Sequence, residues 1–331
     1  MAFGLRKIMI GAMAASMLAG GYVMSAGAQD TREIVTVVKL SGIAWFNRME
    51  EGVRQYAEAT GNNATQVGAA TADAALQVQL IEDLIARGVD AITVVPNSPQ
   101  ALEPVLARAL ENDIVVIGHE GATLQNITYD LEAFDNKAYG EHLMEALATQ
   151  MGGEGEYAVF VGYLTSVTHN EWVDAAIAYQ EEKYPKMKLV GGKQESAEQQ
   201  QTAYQKMREL LRTYPNLKGM QGSAGEDVVG AALAVEEAGL SDQVSIVGTS
   251  LASVAGPYVE TGEIDMISFW DPALAGYAMN VLAEKALKGE TVATGDDLGV
   301  EGYNDVRVDG KVVYGQAWVD VTAENLDQYD F

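Results

Sequence analysis

The residues equipped for chemistry in this chain sit where apolar runs end. Val37-Val38 gives way to Lys39, followed by Trp45 and Phe46. Another run ends at Pro96-Asn97-Ser98, and Ile114–Gly118 runs into His119-Glu120. Further on, Thr165–Trp172 holds His169 and Asn170, Ser223–Asp227 holds Ala224, Glu226 and Asp227, and Phe269-Trp270 leads to Asp271. Ammonium, carboxyl and amide groups beside aromatic faces can donate to, accept from and stack on a small polyhydroxylated molecule. Each residue also has a plainer use. Lys39 suits an edge strand, Trp45 and Phe46 a helix-start core, Asp227 a helix cap, and His119 a hydrogen-bonded interior position. Glu120 and Asp271 are the stronger candidates, because a carboxylate beside an apolar strand end needs a partner.

Catalytic signatures are missing. There is no Gly-x-Ser-x-Gly elbow and no phosphate-binding loop of the Gly-x-x-x-x-Gly-Lys type. The three histidines, His119, His142 and His169, lack metal-ligand spacing, and without cysteine there is neither a thiol nucleophile nor a thiolate metal site. Gly152-Gly153-Glu154-Gly155 precedes an apolar run rather than following one, so it is a loop and not a dinucleotide fingerprint. No catalytic residue, metal or cofactor is expected.

These residues must be held by elements that the pattern predicts. Short apolar runs alternate with helix-period stretches: Glu33–Leu40 then Trp45–Thr60, Ala91–Pro96 then Pro99–Asn112, Tyr157–Val161 then Glu171–Tyr184. Such alternation predicts parallel sheets covered by helices on both faces, and near-continuous runs such as Ile114–Ile117 suit strands buried on both sides. The number of units exceeds one comfortable sheet, and 48% apolar residues in 331 supply two cores. Val306–Trp318 reads as two extended runs around Asp309-Gly310.

The first 28 residues read as a secretory signal peptide: Arg6-Lys7, an apolar run from Ile8 to Leu18, and Ala26-Gly27-Ala28 before Gln29. The run is shorter than the ~20 residues a membrane span needs. The net charge is −26, and removing that segment takes away two more positive charges. So acidic a surface repels phosphate backbones and anionic lipid, which excludes nucleic-acid and membrane-surface roles.

The stretches Val38–Phe46, Val78–Ile85, Ile92–Pro99, Thr168–Trp172, Ile246–Ser250, Gly256–Val259, Phe269–Asp271 and Asn325–Phe331 together resemble the sugar-binding type of periplasmic solute-binding protein of ABC importers. The autoinducer-2-binding and rhamnose-binding branches are closest in appearance. The resemblance implies a type I periplasmic binding protein: two doubly wound parallel-sheet lobes with a ligand between them, joined by three crossovers near Thr128–Asp135, Ser250–Ala255 and Phe269–Pro272. The expected first lobe comprises 29–132 plus 252–270, with a closing helix 271–290 at the boundary. The second comprises 133–251 plus 291–331. In the autoinducer-2 branch the positions matching Lys39 and Glu120 bind ligand, an Asp-Gln pair stands where this chain has His169-Asn170, and a Pro and an Ala fall near Ala224 and Glu226. A different sugar or polyol fits these departures. The implied partner is an inner-membrane permease, the implied state a monomer, and the location the periplasm. A ligand-presenting sensor subunit and a secreted enzyme on the same fold are the alternatives. A sugar-responsive transcription regulator would need a basic DNA-binding segment where the signal peptide stands.

Overall fold

The computed structural model describes Met1 and residues 31–331; residues 2–28 of the stretch read above as a signal peptide lie outside the described residues. Twelve of the elements build the first half of the fold's logic as repeated strand–helix units: β1 (Glu33–Val38), α1 (Ala44–Thr60), β2 (Asn63–Gly68), α2 (Ala74–Arg87), β3 (Ala91–Val94), α3 (Pro99–Glu111), β4 (Val115–His119), β5 (Tyr129–Glu132), α4 (Asn136–Met151), β6 (Glu154–Val161), α5 (Val167–Lys183) and β7 (Lys186–Glu195). The remainder are α6 (Gln200–Thr213), β8 (Leu217–Gly222), α7 (Asp227–Glu237), β9 (Ser245–Thr249), α8 (Ala252–Thr261), β10 (Met266–Phe269), α9 (Pro272–Leu287), β11 (Arg307–Asp309), β12 (Val312–Tyr314), β13 (Val319–Val321) and a closing 3-10 turn. Local chemistry starts and stops the helices. Asp73 accepts hydrogen bonds from the N–H groups of Ala75 and Leu76 to cap α2, which ends at the left-handed Gly88. Asp271 caps α9, with Pro272 as its first residue.

The strands form two sheets, ordered β11-β12-β5-β4-β3-β1-β2 and β13-β10-β9-β8-β6-β7. All pairings are parallel except the β11–β12 hairpin and the edge pair β10–β13. Setting those additions aside, both sheets follow the same order: the first strand of each lobe, β1 or β6, lies between the second and the third. At that point successive connections go to opposite sides and open a crevice at the carboxyl ends of the strands. Lys39 leaves β1, and the loop into α5, whose first turn carries His169, leaves β6, each at such a switch point.

Two features of the expected lobes are corrected. β10 pairs in parallel with β9, Met266 opposite Val247, so 252–270 belongs to the second lobe and Ser250–Ala255 is not a crossover. A strand–helix–strand unit returns to its own sheet, and α8 makes that return. Conversely, β12 pairs with β5, so 307–314 completes the first sheet, and the chain last changes lobe between Tyr314 and Val319. Helix α9 packs on α1 and on β3 and β4 of the first lobe. The expected crossovers at 128–135 and 269–272 coincide with the passages from β5 to α4 and from β10 to α9. The hairpin at Asp309-Gly310 is present as β11 and β12. Strand β5 is absent from the sequence reading, because Asp130 and Glu132 break its apolar character although both are buried.

Candidate functional site

The carboxyl ends of the two sheets face one cavity. Its walls include Lys39, Trp45, Phe46 and Glu120 from the first lobe, and His169, Glu198, Ser223, Ala224, Glu226 and Thr249 from the second, with Trp270 where the chain crosses between lobes. About 490 Å³ of non-atom space, open solvent at the mouth included, lies between these groups.

The charged centre is Lys39, only 4% exposed. Its Nζ donates to Glu120 Oε2 at 3.3 Å and lies 2.9 Å from Glu198 Oε1 in an ion pair between the lobes. Burial opposes the ammonium charge, but the two carboxylates outweigh it and hold the Lys39 pKa above its ordinary value. Burial likewise works against Glu120, and the Lys39 charge prevails, keeping its pKa below the usual range. Glu120 sits just after β4 in the left-handed region, φ +56°, where a non-glycine residue is uncommon.

His169, in the first turn of α5, accepts the Gly162 N–H at Nδ1, 3.1 Å away. Nε2 therefore carries the ring proton. Burial, and then the Lys39 charge, push its pKa down to about 3, so the imidazole is a neutral donor at the cavity wall. The aromatic wall is built edge to face: Trp45 and Trp270 have ring centroids 4.6 Å apart at 73°, and Phe134 and Trp172 back Trp270 at 5.2 and 5.8 Å. Phe46 lies under Lys39, its ring centroid 5.9 Å from Nζ.

Of the residues selected from sequence, four stand elsewhere. Asp271 is clamped by Arg48 at 2.8 and 2.6 Å and accepts the Ala273 N–H at 2.8 Å, so the carboxylate is consumed by a bidentate pair and a helix cap. Asp227 accepts the N–H groups of Ser223 and Ala224 at 3.1 and 2.8 Å, shaping the loop from below; burial pushes its pKa up to about 7. Asn170 donates to the carbonyls of Tyr163, Leu164 and Ser166 and accepts from Lys193. Asn97 meets the other lobe through its backbone, its carbonyl accepting from Thr165 Oγ1 at 3.3 Å. His119 is the interior histidine of the plainer reading, with Nδ1 2.6 Å from the Leu131 carbonyl.

Sequence reasoning missed Glu198, Ser223, Thr249 and Trp270 as wall residues. Thr249 and Trp270 follow the rule that selected the others, since β9 ends at Thr249 and β10 just before Trp270. Glu198 carried no such signal. It stands three residues beyond β7 in a polar run, and only the loop conformation brings it in.

Residues 34–291 match the periplasmic binding protein domain. The xylitol-binding protein of Mycolicibacterium smegmatis is 28% identical over 298 residues, covering 86% of this chain and 82% of that protein. The D-allose-binding periplasmic protein of Escherichia coli is 27% identical over 282 residues, covering 81% and 89%. Among solved structures, LsrB from Clostridium saccharobutylicum in complex with AI-2 is similar with a TM-score of 0.81 at 19% identity, covering 90% of this chain and 99% of that one. An ABC transporter solute-binding protein from Clostridium phytofermentas with bound L-rhamnose gives 0.80 at 21%, covering 90% and 98%. At those identities the structures speak for the fold, whereas the domain match spans most of the chain. Two switch-point crevices closed on one another, with the domain signature running through both lobes, make this chain a member of the periplasmic binding protein family.

Proposed function

We propose that this protein captures a small, uncharged polyhydroxylated solute between its lobes and delivers it to the permease of an ABC importer, without chemical change to the solute. The observation that carries the reading is the shared cavity in which Lys39, Glu120, Glu198 and the neutral His169 present donors and acceptors beneath Trp45 and Trp270. Hydroxyl groups can both donate to the carboxylates and accept from the ammonium and the imidazole N–H, while an aromatic face covers the C–H side of a sugar or polyol. Because the walls come from both lobes, bound solute stabilises the closed arrangement by its differential contacts, and closure is what a permease would recognise. The relatives named for xylitol and D-allose support the ligand class. In this reading residues 1–28 direct export and are removed after Ala28, which mass spectrometry of the exported chain tests by a terminus at Gln29.

The ligand test is a thermal-shift screen of xylitol, D-ribose, D-allose, L-rhamnose, D-arabinose and AI-2, followed by titration calorimetry and recovery of the solute. A ligand held at a hundred times its Kd adds about 2.7 kcal/mol to stability, which such a screen resolves. One-to-one binding with unchanged solute is expected. Turnover of the solute, abolished by His169→Ala, would replace this reading with an enzymatic one.

A further inference from the structure

Among the described residues Glu198 is the one charged group of the second lobe that reaches the first-lobe lysine, and three features of the fold keep it there. The loop after β7 places Ala197 and Glu198 in the left-handed region, at φ +57° and +54°. Two consecutive non-glycine residues in that region persist only where their surroundings over-determine them. Here they do: the Ala197 N–H donates to the Gly162 carbonyl at 2.8 Å, the Tyr163 hydroxyl to the Ala197 carbonyl at 3.0 Å, and the Glu198 N–H to Ser196 Oγ at 3.2 Å. Residue 162 is also bare where the carboxylate passes. A Cβ on Gly162 would lie 2.6 Å from Glu198 Cγ and 2.8 Å from its Oε1. The result is a 5% exposed carboxylate 2.9 Å from Lys39 Nζ.

We propose that Glu198 is a specificity residue that couples closure to the charge of the solute: with Glu120 it surrounds Lys39 by two carboxylates, so the cavity accepts uncharged polyols and refuses sugar acids. This rests on the reading above that the cavity takes a polyhydroxylated solute. A single lysine facing one carboxylate would leave room for a ligand anion as second partner. Glu198 already occupies that second place, from the lobe that must swing in for closure. A sugar carboxylate would therefore have to displace Glu198 and lie beside Glu120, with Glu226 as a third carboxyl on the same walls. A hydroxyl can instead donate to Glu198 while the ammonium stays paired. The neutral His169 adds a hydrogen-bond donor and no positive charge that would offset the two carboxylates.

The experiment compares the wild type, Glu198→Gln and Gly162→Ala by titration calorimetry with xylitol and D-allose against D-xylonate and D-allonate. Ligand-free small-angle scattering is recorded for each protein. Wild type should favour the neutral member of each pair by about a hundredfold or more. Glu198→Gln should weaken neutral binding about tenfold and narrow the preference over the acid by at least as much. Gly162→Ala, which presses the carboxylate aside and keeps its charge, should weaken neutral binding too, and it stands in if Glu198→Gln does not fold. Without ligand, either variant should show a larger radius of gyration, because the cross-lobe pair is lost. Neutral binding within threefold of wild type and an unchanged acid preference in the variants would overturn the proposal. If no neutral solute of the wider screen binds wild type, the proposed function fails. The scattering then still decides whether Glu198 holds the lobes together: equal radii reject the role and larger variant radii retain it.

Discussion

Glu120 at the end of β4 and the Asp130–Glu132 pair on the adjacent β5 are buried alike, yet they hold their protons differently. Glu120 faces the Lys39 ammonium, which overcomes burial and keeps the carboxylate charged. Asp130 sits opposite Gly118, whose missing side chain leaves space for it; a Cβ there would lie 2.3 Å from Asp130 Oδ1. Burial pushes the Asp130 pKa up to about 7. The Glu132 pKa is raised well above its ordinary value by burial and then by Asp130 beside it. The outside charges acting on this pair are further carboxylates, Glu120 and Glu171, which oppose ionisation. One strand apart, the same residue types thus make a charged acceptor at the cavity and a protonated acid in the interior. The deciding factor is the neighbour supplied from another element, since dryness is common to both.

Removing the neighbour is the most severe way to break the comparison. Lys39→Met leaves Glu120 and Glu198 facing each other without a cation, a loss of about 3–5 kcal/mol for a buried pair. The lobes can open to rehydrate them, so the cost should appear as lost closure: about a hundredfold or greater weakening of solute binding at neutral pH, taking ~1.4 kcal/mol per decade. Part of the affinity should return at lower pH, because burial without the Lys39 charge raises the Glu120 pKa and its protonation relieves the repulsion. Calorimetric titration reads both effects, and a loss under tenfold with no pH dependence would mean that Lys39 does not govern these carboxylates.

The β5 pair makes a smaller prediction of opposite sign. Asp130 has an ordinary pKa of 3.8 and a folded value of about 7. Between those values the folded chain keeps a proton that the unfolded chain has released, so stability falls as pH rises through that window. Above about 7 the folded carboxyl ionises and the penalty is fully present. Asp130→Asn removes the titrating group and should flatten the decline of Tm between about pH 4 and pH 7 by a few °C, at roughly 2–4 °C per kcal/mol for a domain of moderate size. Parallel declines in both proteins, followed by calorimetry, would show Asp130 ionising as an ordinary carboxyl.

His169 sharpens the comparison with an expected absence of effect. Its pKa is pushed down to about 3, so it stays uncharged across the range in which a free imidazole titrates. Solute affinity should change less than about twofold between pH 5.5 and 7.5 on its account. A tenfold change centred near pH 6.5 that disappears in His169→Gln would establish that the imidazole takes up a proton in the site.

Much of the molecule was legible because its causes are local. The alternation of apolar runs with helix-period segments reports backbone geometry, and it located most strands and helices, though not β5, α8 or β13. The rule that open parallel sheets gather ligands at their carboxyl strand ends then selected Lys39, Trp45, Phe46, Glu120, His169, Ala224 and Glu226, all of which line the cavity. The same rule also selected Asn97, Asp227, Asp271 and Asn170, which stand elsewhere. A strand end brings a residue to the rim of the crevice without choosing what its side chain meets there.

Residue order alone determined the two-core α/β architecture, the acidic surface and the rim on which functional groups collect, because period, propensity and charge are properties of neighbouring residues. The tertiary structure decided the rest. Arg48, 223 residues away in the chain, claims Asp271, and two backbone N–H groups claim Asp227. Sheet pairing sends β10 to the second lobe and the 307–314 hairpin to the first. A left-handed loop against Gly162 brings Glu198 to Lys39. Each of these is a contact between segments remote in sequence, and a buried polar group settles on whichever partner the packed fold brings within hydrogen-bond reach.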